Sequence, residues 1–191
     1  FSKLNITIAG GMPVQKSVGD RWQKITGCLM VVGYGLSETA PAASIDPIDG
    51  KTFSDTIGLP LPSTEMSIQD DKGKILSAEK EGEICIRGPQ VMRGYWNNEK
   101  DTKNALTKDG WFKTGDIGKM RKDGYFQIVD RKKDMIIVSG FNVYPSDVEE
   151  VAMQHQKILE AGCIGVSGKN GQELVKLFVS VVEGETITED E

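Results

Sequence analysis

The sequence Gly-Tyr-Gly-Leu-Ser-Glu-Thr at residues 33–39 combines glycines with hydroxyl and carboxylate side chains. Glycine lets the backbone approach a ligand closely, and successive backbone N–H groups can hold an anion. Ser37 and Thr39 add hydroxyl groups, and the Glu38 carboxylate is a hard oxygen ligand that suits Mg²⁺ bridging phosphates. Tyr34 offers a flat face for an aromatic ring. An ordinary strand-to-loop turn with a solvated glutamate explains the same residues equally well.

A second glycine turn, Gly-Gly-Met-Pro at residues 10–13, follows an apolar, alternating segment. In open α/β sheets, ligands bind beyond the carboxyl ends of the strands. Two glycine turns at one such edge can clasp a planar ligand between them. The competing interpretation is a tight turn that needs glycine only for its backbone conformation.

Two further charged positions are candidates for nucleotide contacts. Asp116 follows Gly115 in a β-rich segment, where its carboxylate can accept two hydrogen bonds from ribose hydroxyls. The alternative is a turn aspartate that bonds its own backbone. The charged run at residues 130–134 is either a solvated segment or a hinge whose arginine, Arg131, points at a nucleotide.

The elements that must position these residues follow from periodicity. Alternation predicts a strand at residues 4–9, helical spacing predicts a helix over residues 14–26, and a short apolar run predicts a buried strand at residues 28–32. Strand, helix, strand and glycine loop in this order are typical of an α/β domain with parallel strands. We therefore predict that residues 1–52 form the edge of such a domain.

Residues 53–129 have a different character, with short strands separated by turns. The turn at residues 122–124, between two alternating runs, predicts a hairpin. Regular short strands with glycine-rich turns indicate a small barrel or a distorted sheet. This β-rich subdomain is the second predicted part of the chain.

The charged run at residues 130–134 cannot be the interior of a buried strand, and we predict that it is a hinge between two packed units. Beyond it, residues 135–191 predict a strand, a helix and two more strands. Ser146 and Glu149 have the spacing of a capping box at the start of that helix. The predicted fold class is therefore mixed α+β.

Composition excludes some classes of function. The chain has 191 residues with 23 Lys+Arg and 28 Asp+Glu, a net charge of −5, which argues against nucleic acid as a partner. Its apolar runs are too short for a transmembrane helix, and we see no secretory leader. Cys28, Cys85 and Cys163 fit neither a zinc site nor a disulfide framework, so we expect buried, reduced thiols in a cytoplasmic protein.

Five motifs in a fixed order resemble the adenylate-forming superfamily, most closely its bacterial long-chain fatty-acid–CoA ligases. The resemblance extends over the whole chain. The motifs are residues 33–39, Gly82-Glu83-Ile84 with Arg87-Gly88, Tyr95-Trp96, Gly110-Trp111 with Thr114-Gly115-Asp116, and residues 130–134 with residues 139–145.

This resemblance implies a two-step reaction with ATP, Mg²⁺ and CoA. A long-chain fatty carboxylate attacks the α-phosphate of ATP, which gives an acyl-adenylate and pyrophosphate. The CoA thiolate then displaces AMP. A hinged lid suits this chemistry, because one site must first release pyrophosphate and then admit CoA.

The resemblance also implies a role for each matching residue. Ser37 and Glu38 would be catalytic residues: Ser37 would touch a phosphate, and Glu38 would hold Mg²⁺. The ribose would be bound by Asp116 with help from Arg131, and Asp130 would be the hinge residue. The nucleotide site would further include Gly10, Gly11, Met12, Gly33, Tyr34 and Gly35, and the CoA path would be bordered by Ser139, Gly140 and Phe141.

The same resemblance implies that residues 1–52 are the end of a large nucleotide- and acyl-binding domain and residues 135–191 part of a C-terminal lid. The family's phosphate loop and its principal lysine would lie outside this chain, so we expect these residues alone to be inactive. Ser37 stands where the family usually has threonine, which keeps the hydroxyl and loses a methyl group. A homodimer and a peripheral contact of the parent protein with the inner membrane remain open.

Two alternative functions remain at this stage. One is an adenylate-forming relative without the CoA step, such as a fatty-acyl-AMP ligase or another adenylation domain. The other is a non-catalytic, β-rich binding module.

Overall fold

The computed structural model describes residues 2–12, 14, 16–50, 53–168 and 172–188. The chain divides into two compact units, Phe1–Ile128 and Val129–Glu191. We call them the first and the second unit and describe each by itself.

The first sheet of the first unit has four strands in the order β1-β2-β3-β4. They are β1 (Thr7–Ala9), β2 (Met30–Gly35), β3 (Ala42–Ile45) and β4 (Leu59–Pro60). β1 and β2 are parallel and are joined by helix α1 (Lys16–Thr26), as the sequence predicted. β2 begins two residues later than the predicted strand at residues 28–32 and ends at Gly35, so residues 33–35 are strand and not loop.

Helix α1 ends at Thr26 because the next residue, Gly27, has a left-handed backbone with φ 69°. The Gly27 N–H closes the last turn by donating to the Gln23 carbonyl at 2.8 Å. Gly19 is the buried residue of this helix, and a Cβ there would lie only 2.4 Å from the Phe53 ring. The helix therefore packs against Phe53 through a position that only glycine fills.

A second sheet also has four strands, in the order β5-β6-β7-β8, and only the last residues of β8 belong to the second unit. The four strands are β5 (Glu65–Gln69), β6 (Glu81–Arg87), β7 (Phe112–Met120) and β8 (Phe126–Arg131), with helix α2 (Glu99–Ala105) between β6 and β7. The predicted hairpin at residues 122–124 joins β7 to β8, and Arg121 N–H donates to the Tyr125 carbonyl at 2.8 Å.

Of the two predicted forms for the β-rich region, the distorted sheet is the one observed. β5 and β8 are at opposite ends of the strand order, so the described residues form an open sheet and close no barrel. β8 also continues through Asp130 and Arg131, so the first two residues of the charged run are strand. Arg131 can stand there because it is exposed at the strand's end.

The core of the first unit lies between these two sheets. Its buried members come from both, and Ile84 and Ile86 of β6 are fully buried. The remaining members of the cluster are Tyr34, Ala43, Ile57, Ile68 and Phe126. Burial of each large apolar side chain is worth about 1.5–3 kcal/mol, so this cluster is the main apolar stabilisation of the unit.

The described residues of the second unit form two antiparallel pairs of strands and one helix. They are β9 (Ile136–Val138), β10 (Phe141–Val143), α3 (Pro145–Ala152), β11 (Ile158–Ser167) and β12 (Glu173–Val181). The predicted strands and helix are all present. None of the helices in the described ranges is both long and apolar enough to span a bilayer.

The predicted capping box at the start of α3 is wrong. The helix begins at Pro145, with Tyr144 as its N-cap, because proline lacks an N–H and has the φ of a first helical residue. Ser146 therefore lies inside the first turn, where its hydroxyl is 2.9 Å from both the Val129 carbonyl and Asp130 Oδ2. Glu149 instead accepts a hydrogen bond from the Cys163 N–H at 2.7 Å.

Cys28, Cys85 and Cys163 are buried thiols, as the sequence predicted. Burial raises the pKa of the Cys163 thiol, and the nearby carboxylates of Glu149 and Asp130 raise it further. These thiols therefore contribute to packing as small apolar groups.

A buried carboxylate, Asp46, supports β2 directly before its glycine-rich end. Asp46 is 5% exposed, and its Oδ2 accepts the Val32 N–H at 3.1 Å. Its Oδ1 accepts the Thr56 hydroxyl at 2.9 Å. Asp46 thus satisfies two donors that have no access to water.

We expect Asp46→Ala to lower the free energy of unfolding by about 2–4 kcal/mol, because it leaves the buried Val32 N–H and the Thr56 hydroxyl without their acceptor. Chemical denaturation followed by circular dichroism measures this. Asp49→Ala, at an exposed position three residues away, is the control and should change stability by less than about 0.5 kcal/mol. Equal effects of the two substitutions would contradict the role of Asp46.

Candidate functional site

The two glycine segments meet at one edge of the first sheet. Ala9 pairs with Val32 in parallel register, so the residues after β1 lie beside the end of β2. A Cβ on Gly10 would be 2.6 Å from the Gly33 carbonyl oxygen, which leaves no room for a side chain. Gly11 has φ 80° and open space around it, and Met12 is 79% exposed. The structure therefore places Gly10 against Gly33, and Gly11 and Met12 follow Gly10 directly in the chain.

Gly35, at the end of β2, is required by a close backbone contact. A Cβ there would be 1.7 Å from the Pro41 carbonyl oxygen. Between these residues the chain forms one turn of 3₁₀ helix, Ser37–Thr39. The buried Thr39 holds the turn, since its hydroxyl accepts the Leu36 N–H at 2.9 Å and donates to the Pro41 carbonyl at 2.7 Å.

This turn presents Ser37 and Glu38 outside the core. Ser37 is exposed and Glu38 is partly exposed. Glu38 is held from a distant segment: its Oε1 accepts the Tyr95 hydroxyl at 2.9 Å, and its carbonyl accepts the Met92 N–H at 2.8 Å. The Tyr95 hydroxyl has a raised pKa, because of its partial burial first and the hydrogen bond to Glu38 second.

Glu38 fits the way in which Mg²⁺ binds with a nucleotide. The described residues contain no group of three or more histidine, cysteine or acidic side chains that could form an all-protein metal site. Mg²⁺ usually binds through one or two carboxylates together with substrate phosphates. A single glutamate beside glycine-rich backbone and a serine hydroxyl is such a partial ligand set.

Tyr34 and Asp116 form the buried polar pair of this region. The Tyr34 hydroxyl donates to Asp116 Oδ2 at 2.6 Å, and the two residues are 9% and 4% exposed. The bond joins β2 of the first sheet to β7 of the second. A carboxylate can accept about four hydrogen bonds, and the Tyr34 hydroxyl donates one of those that Asp116 accepts.

Asp116 lies in a bulge of β7. Glu83 pairs with Ile117 and Cys85 with Lys113, so residues 114–116 lie opposite the single residue Ile84. Gly115, with φ 75°, supplies the left-handed backbone at this place. Its N–H donates to Glu83 Oε1 at 3.1 Å. Asp116 is thus one of the three residues of the bulge, and it is buried, as are Phe112 and Gly118 of the same strand.

Five of the predicted site residues belong to the second unit. Asp130 accepts hydrogen bonds from the Arg131 N–H at 2.6 Å and from the Ser146 N–H at 3.1 Å. Ser139 and Gly140 form the tight turn of the β9–β10 hairpin, with φ 52° and 86°. Phe141 follows and is 74% exposed. The roles of these five residues remain predictions.

Sequence reasoning assigned no role to two residues that support the site. The sequence pattern identifies Thr39 only as a further hydroxyl, but Thr39 is buried and holds the 3₁₀ turn. Tyr95 was part of a motif, but its bond to Glu38 crosses 57 residues of sequence. The motif that contains Tyr95 is the signal that could have identified this residue. Nothing in the neighbouring sequence identifies Glu38 as its partner.

Comparison with known proteins places this site in a family. The family described as AMP-binding enzyme matches residues 1–96, which include β1, β2, the 3₁₀ turn and Tyr95. The long-chain-fatty-acid–CoA ligase of Yersinia pestis is 51% identical over 179 residues, which are 94% of this chain and 32% of the ligase. The Salmonella typhimurium ligase of the same name is 49% identical over 190 residues, 100% of this chain and 34% of the ligase.

The fold agrees with a solved structure that contains a nucleotide. The crystal structure of ATP-bound MatB from Rhodopseudomonas palustris has a TM-score of 0.89 to this chain at 34% identity, and the match covers 95% of this chain and 36% of MatB. The chain thus spans about a third of the length of the relatives that it matches. Because the family match covers half of the chain and includes the glycine-rich edge of the sheet, this protein belongs to the family of AMP-binding enzymes.

Proposed function

We propose that this chain is part of an ATP-dependent long-chain fatty-acid–CoA ligase. The parent enzyme first forms an acyl-adenylate and pyrophosphate from a long-chain fatty acid and ATP, and CoA then displaces AMP. The relatives of this name match across nearly the whole chain, and their length supports a parent about three times as long.

The observation that carries the nucleotide part of the proposal is the arrangement at the end of β2. Backbone glycines, the Ser37 hydroxyl and the Glu38 carboxylate lie at one sheet edge, and the Tyr34–Asp116 pair lies in the same unit. Backbone N–H groups and hydroxyls suit phosphates, and a carboxylate suits Mg²⁺ or ribose hydroxyls.

Individual roles follow the resemblance. Ser37 contacts a phosphate, Glu38 holds Mg²⁺, Asp116 binds the ribose hydroxyls, and the glycine segments with Met12 and Tyr34 border the adenine. When bound, Mg²⁺ neutralises charge on the phosphate oxygens. The protein's contribution is to hold donors and acceptors in fixed positions around the α-phosphate.

The second unit supplies the second half-reaction in this proposal. Asp130 is the hinge residue within residues 130–134, Arg131 assists at the ribose, and Ser139, Gly140 and Phe141 border the path of CoA. Residues 1–52 are the end of the large domain, residues 53–129 a β-rich subdomain, and residues 135–191 part of the lid. A cytoplasmic location, a peripheral membrane contact and a homodimer stay predictions.

The test of the function is a product analysis. Purified parent protein is incubated with oleate, ATP and Mg²⁺, with and without CoA, and the products are identified by mass spectrometry. We expect oleoyl-adenylate without CoA and oleoyl-CoA with it. Adenylate alone in both reactions would indicate a ligase without the CoA step. The 191-residue chain, tested in parallel, should form no thioester. Catalytic groups act together, and an enzyme that lacks some of them loses many powers of ten in rate.

We expect Glu38→Ala in the parent to lower ATP–pyrophosphate exchange by roughly two to three orders of magnitude, because it removes the carboxylate that holds Mg²⁺ on the phosphates. Circular dichroism should show an unchanged fold, since Glu38 is partly exposed. Glu150→Ala, at an exposed position on α3, is the control and should keep full exchange. Normal exchange in Glu38→Ala would remove this residue from the mechanism.

Asp116→Ala tests the ribose contact, and Tyr34→Phe separates that contact from stability. Both substitutions break the buried hydrogen bond, so each should lower the free energy of unfolding by about 1–3 kcal/mol. Only Asp116→Ala also removes an acceptor for ribose, so it should weaken AMP binding by about tenfold to a hundredfold more than Tyr34→Phe. Calorimetric titration measures the affinities. Equal affinities of the two variants would show that Asp116 contacts Tyr34 and not the nucleotide.

A further inference from the structure

The geometry points to Tyr95 as a positioning residue for Glu38. The Tyr95 hydroxyl holds one carboxylate oxygen of Glu38, so that the other carboxylate oxygen can bind the cation on the nucleotide. This inference rests on the proposed function of Glu38. It assigns a task to the segment of residues 91–96, which the proposed mechanism does not otherwise use.

Glu38 stands on a support that does not fix its side chain. The 3₁₀ helix Ser37–Thr39 is a single turn, and its internal hydrogen bonds hold the backbone and the Thr39 hydroxyl. A glutamate side chain has several rotatable bonds, and holding it in one orientation costs conformational entropy. A metal ligand on such a turn therefore needs a partner from elsewhere in the fold.

Residues 91–96 supply that partner twice. The Met92 N–H donates to the Glu38 carbonyl at 2.8 Å, which fixes the backbone of the turn. The Tyr95 hydroxyl donates to Glu38 Oε1 at 2.9 Å, which fixes the side chain. Across the described ranges, no residue makes a hydrogen bond to Glu38 Oε2, so that oxygen remains available as a ligand.

The tyrosine is itself held in place by helix α2. Its backbone N–H donates to Thr102 Oγ1 at 2.9 Å, and the Thr102 hydroxyl donates to the Asn98 carbonyl at 2.8 Å. The preceding residue, Gly94, has φ 148°, and a Cβ there would lie 2.7 Å from Thr102 Cγ2. The backbone of Tyr95 is thus fixed by contacts that do not involve Glu38.

Charge explains why the bond must come from a hydroxyl. A lysine or arginine in this place would neutralise the carboxylate and compete with the cation. A neutral O–H donor orients the carboxylate and leaves its charge for Mg²⁺. Tyr95 is also 37% exposed, so the pair lies where a nucleotide and its cation have access.

The experiment is a double-mutant cycle on the full-length parent with Tyr95→Phe, Glu38→Gln and both together. ATP affinity is measured by calorimetry with Mg²⁺ and with EDTA. We expect Tyr95→Phe to weaken ATP binding about three- to tenfold with Mg²⁺ and to leave the affinity with EDTA unchanged. In the Glu38→Gln background, Tyr95→Phe should have no further effect, since it acts through Glu38.

Two further variants sharpen the result. Thr102→Val removes the acceptor that holds the Tyr95 backbone and should give a smaller loss of the same Mg²⁺-dependent kind. Tyr125→Phe makes the same chemical change at a tyrosine whose ring packs near the Arg121 guanidinium, and it should leave ATP affinity unchanged.

The outcomes separate this role from the proposed function. Equal losses with Mg²⁺ and with EDTA, additive effects of Tyr95→Phe and Glu38→Gln, or an unchanged affinity in Tyr95→Phe would each overturn the positioning role while the ligase assignment stands. A wild-type parent that binds no ATP under either condition would overturn the proposed function, and the role of Tyr95 with it.

Discussion

The buried hydrogen bond between Tyr34 and Asp116 is the constraint on which the first unit depends. A carboxylate that is 4% exposed must be paired with donors, because an unpaired buried charge costs many times the net value of a hydrogen bond. Its partner lies 82 residues away on another sheet. The two sheets must therefore lie in one relative position. That position packs the apolar cluster around Tyr34, and it also gives the Asp116 carboxylate its hydrogen-bond donor. Asp116 is also one of the three residues of the bulge in β7, so the strand is irregular at this contact.

The second constraint is the close approach of backbone segments to each other. It explains the glycines at the sheet edge better than a need for backbone flexibility does. At Gly10 and Gly35 a Cβ would collide with a neighbouring carbonyl oxygen, at 2.6 Å and 1.7 Å. These contacts let the two glycine segments share one edge of the sheet, where backbone groups and small polar side chains replace bulky ones. A ligand that binds there meets main chain, hydroxyl and carboxylate groups, which is the surface that phosphates and ribose require.

The candidate site is thus a small number of chemical groups held by contacts from distant parts of the chain. Glu38 depends on Tyr95 and Met92, and Asp116 depends on Tyr34. Groups that hold others in place are as important to catalysis as the groups that touch the substrate, because a preorganised site does not have to reorganise during the reaction. Substitutions of the supporting residues can therefore be tested separately from substitutions of the residues that contact the nucleotide.

The sequence by itself determined the local elements and the chemical inventory of this protein. Apolar periodicity and turn residues are local signals, so α1, the strands of the β-rich region, the hairpin at residues 122–124 and the parallel pairing of β1 with β2 could all be predicted. The family motifs identified the glycine segments, Glu38 and Asp116 as the residues of interest.

Only the tertiary structure decided what those residues contact. It placed Tyr34 against Asp116, Tyr95 against Glu38 and Ser146 against Asp130, left the second sheet open, and began α3 at Pro145. The physical reason is that a side chain's hydrogen-bonding partner is chosen by long-range packing, and residues 57 or 82 positions apart carry no local signal of their meeting.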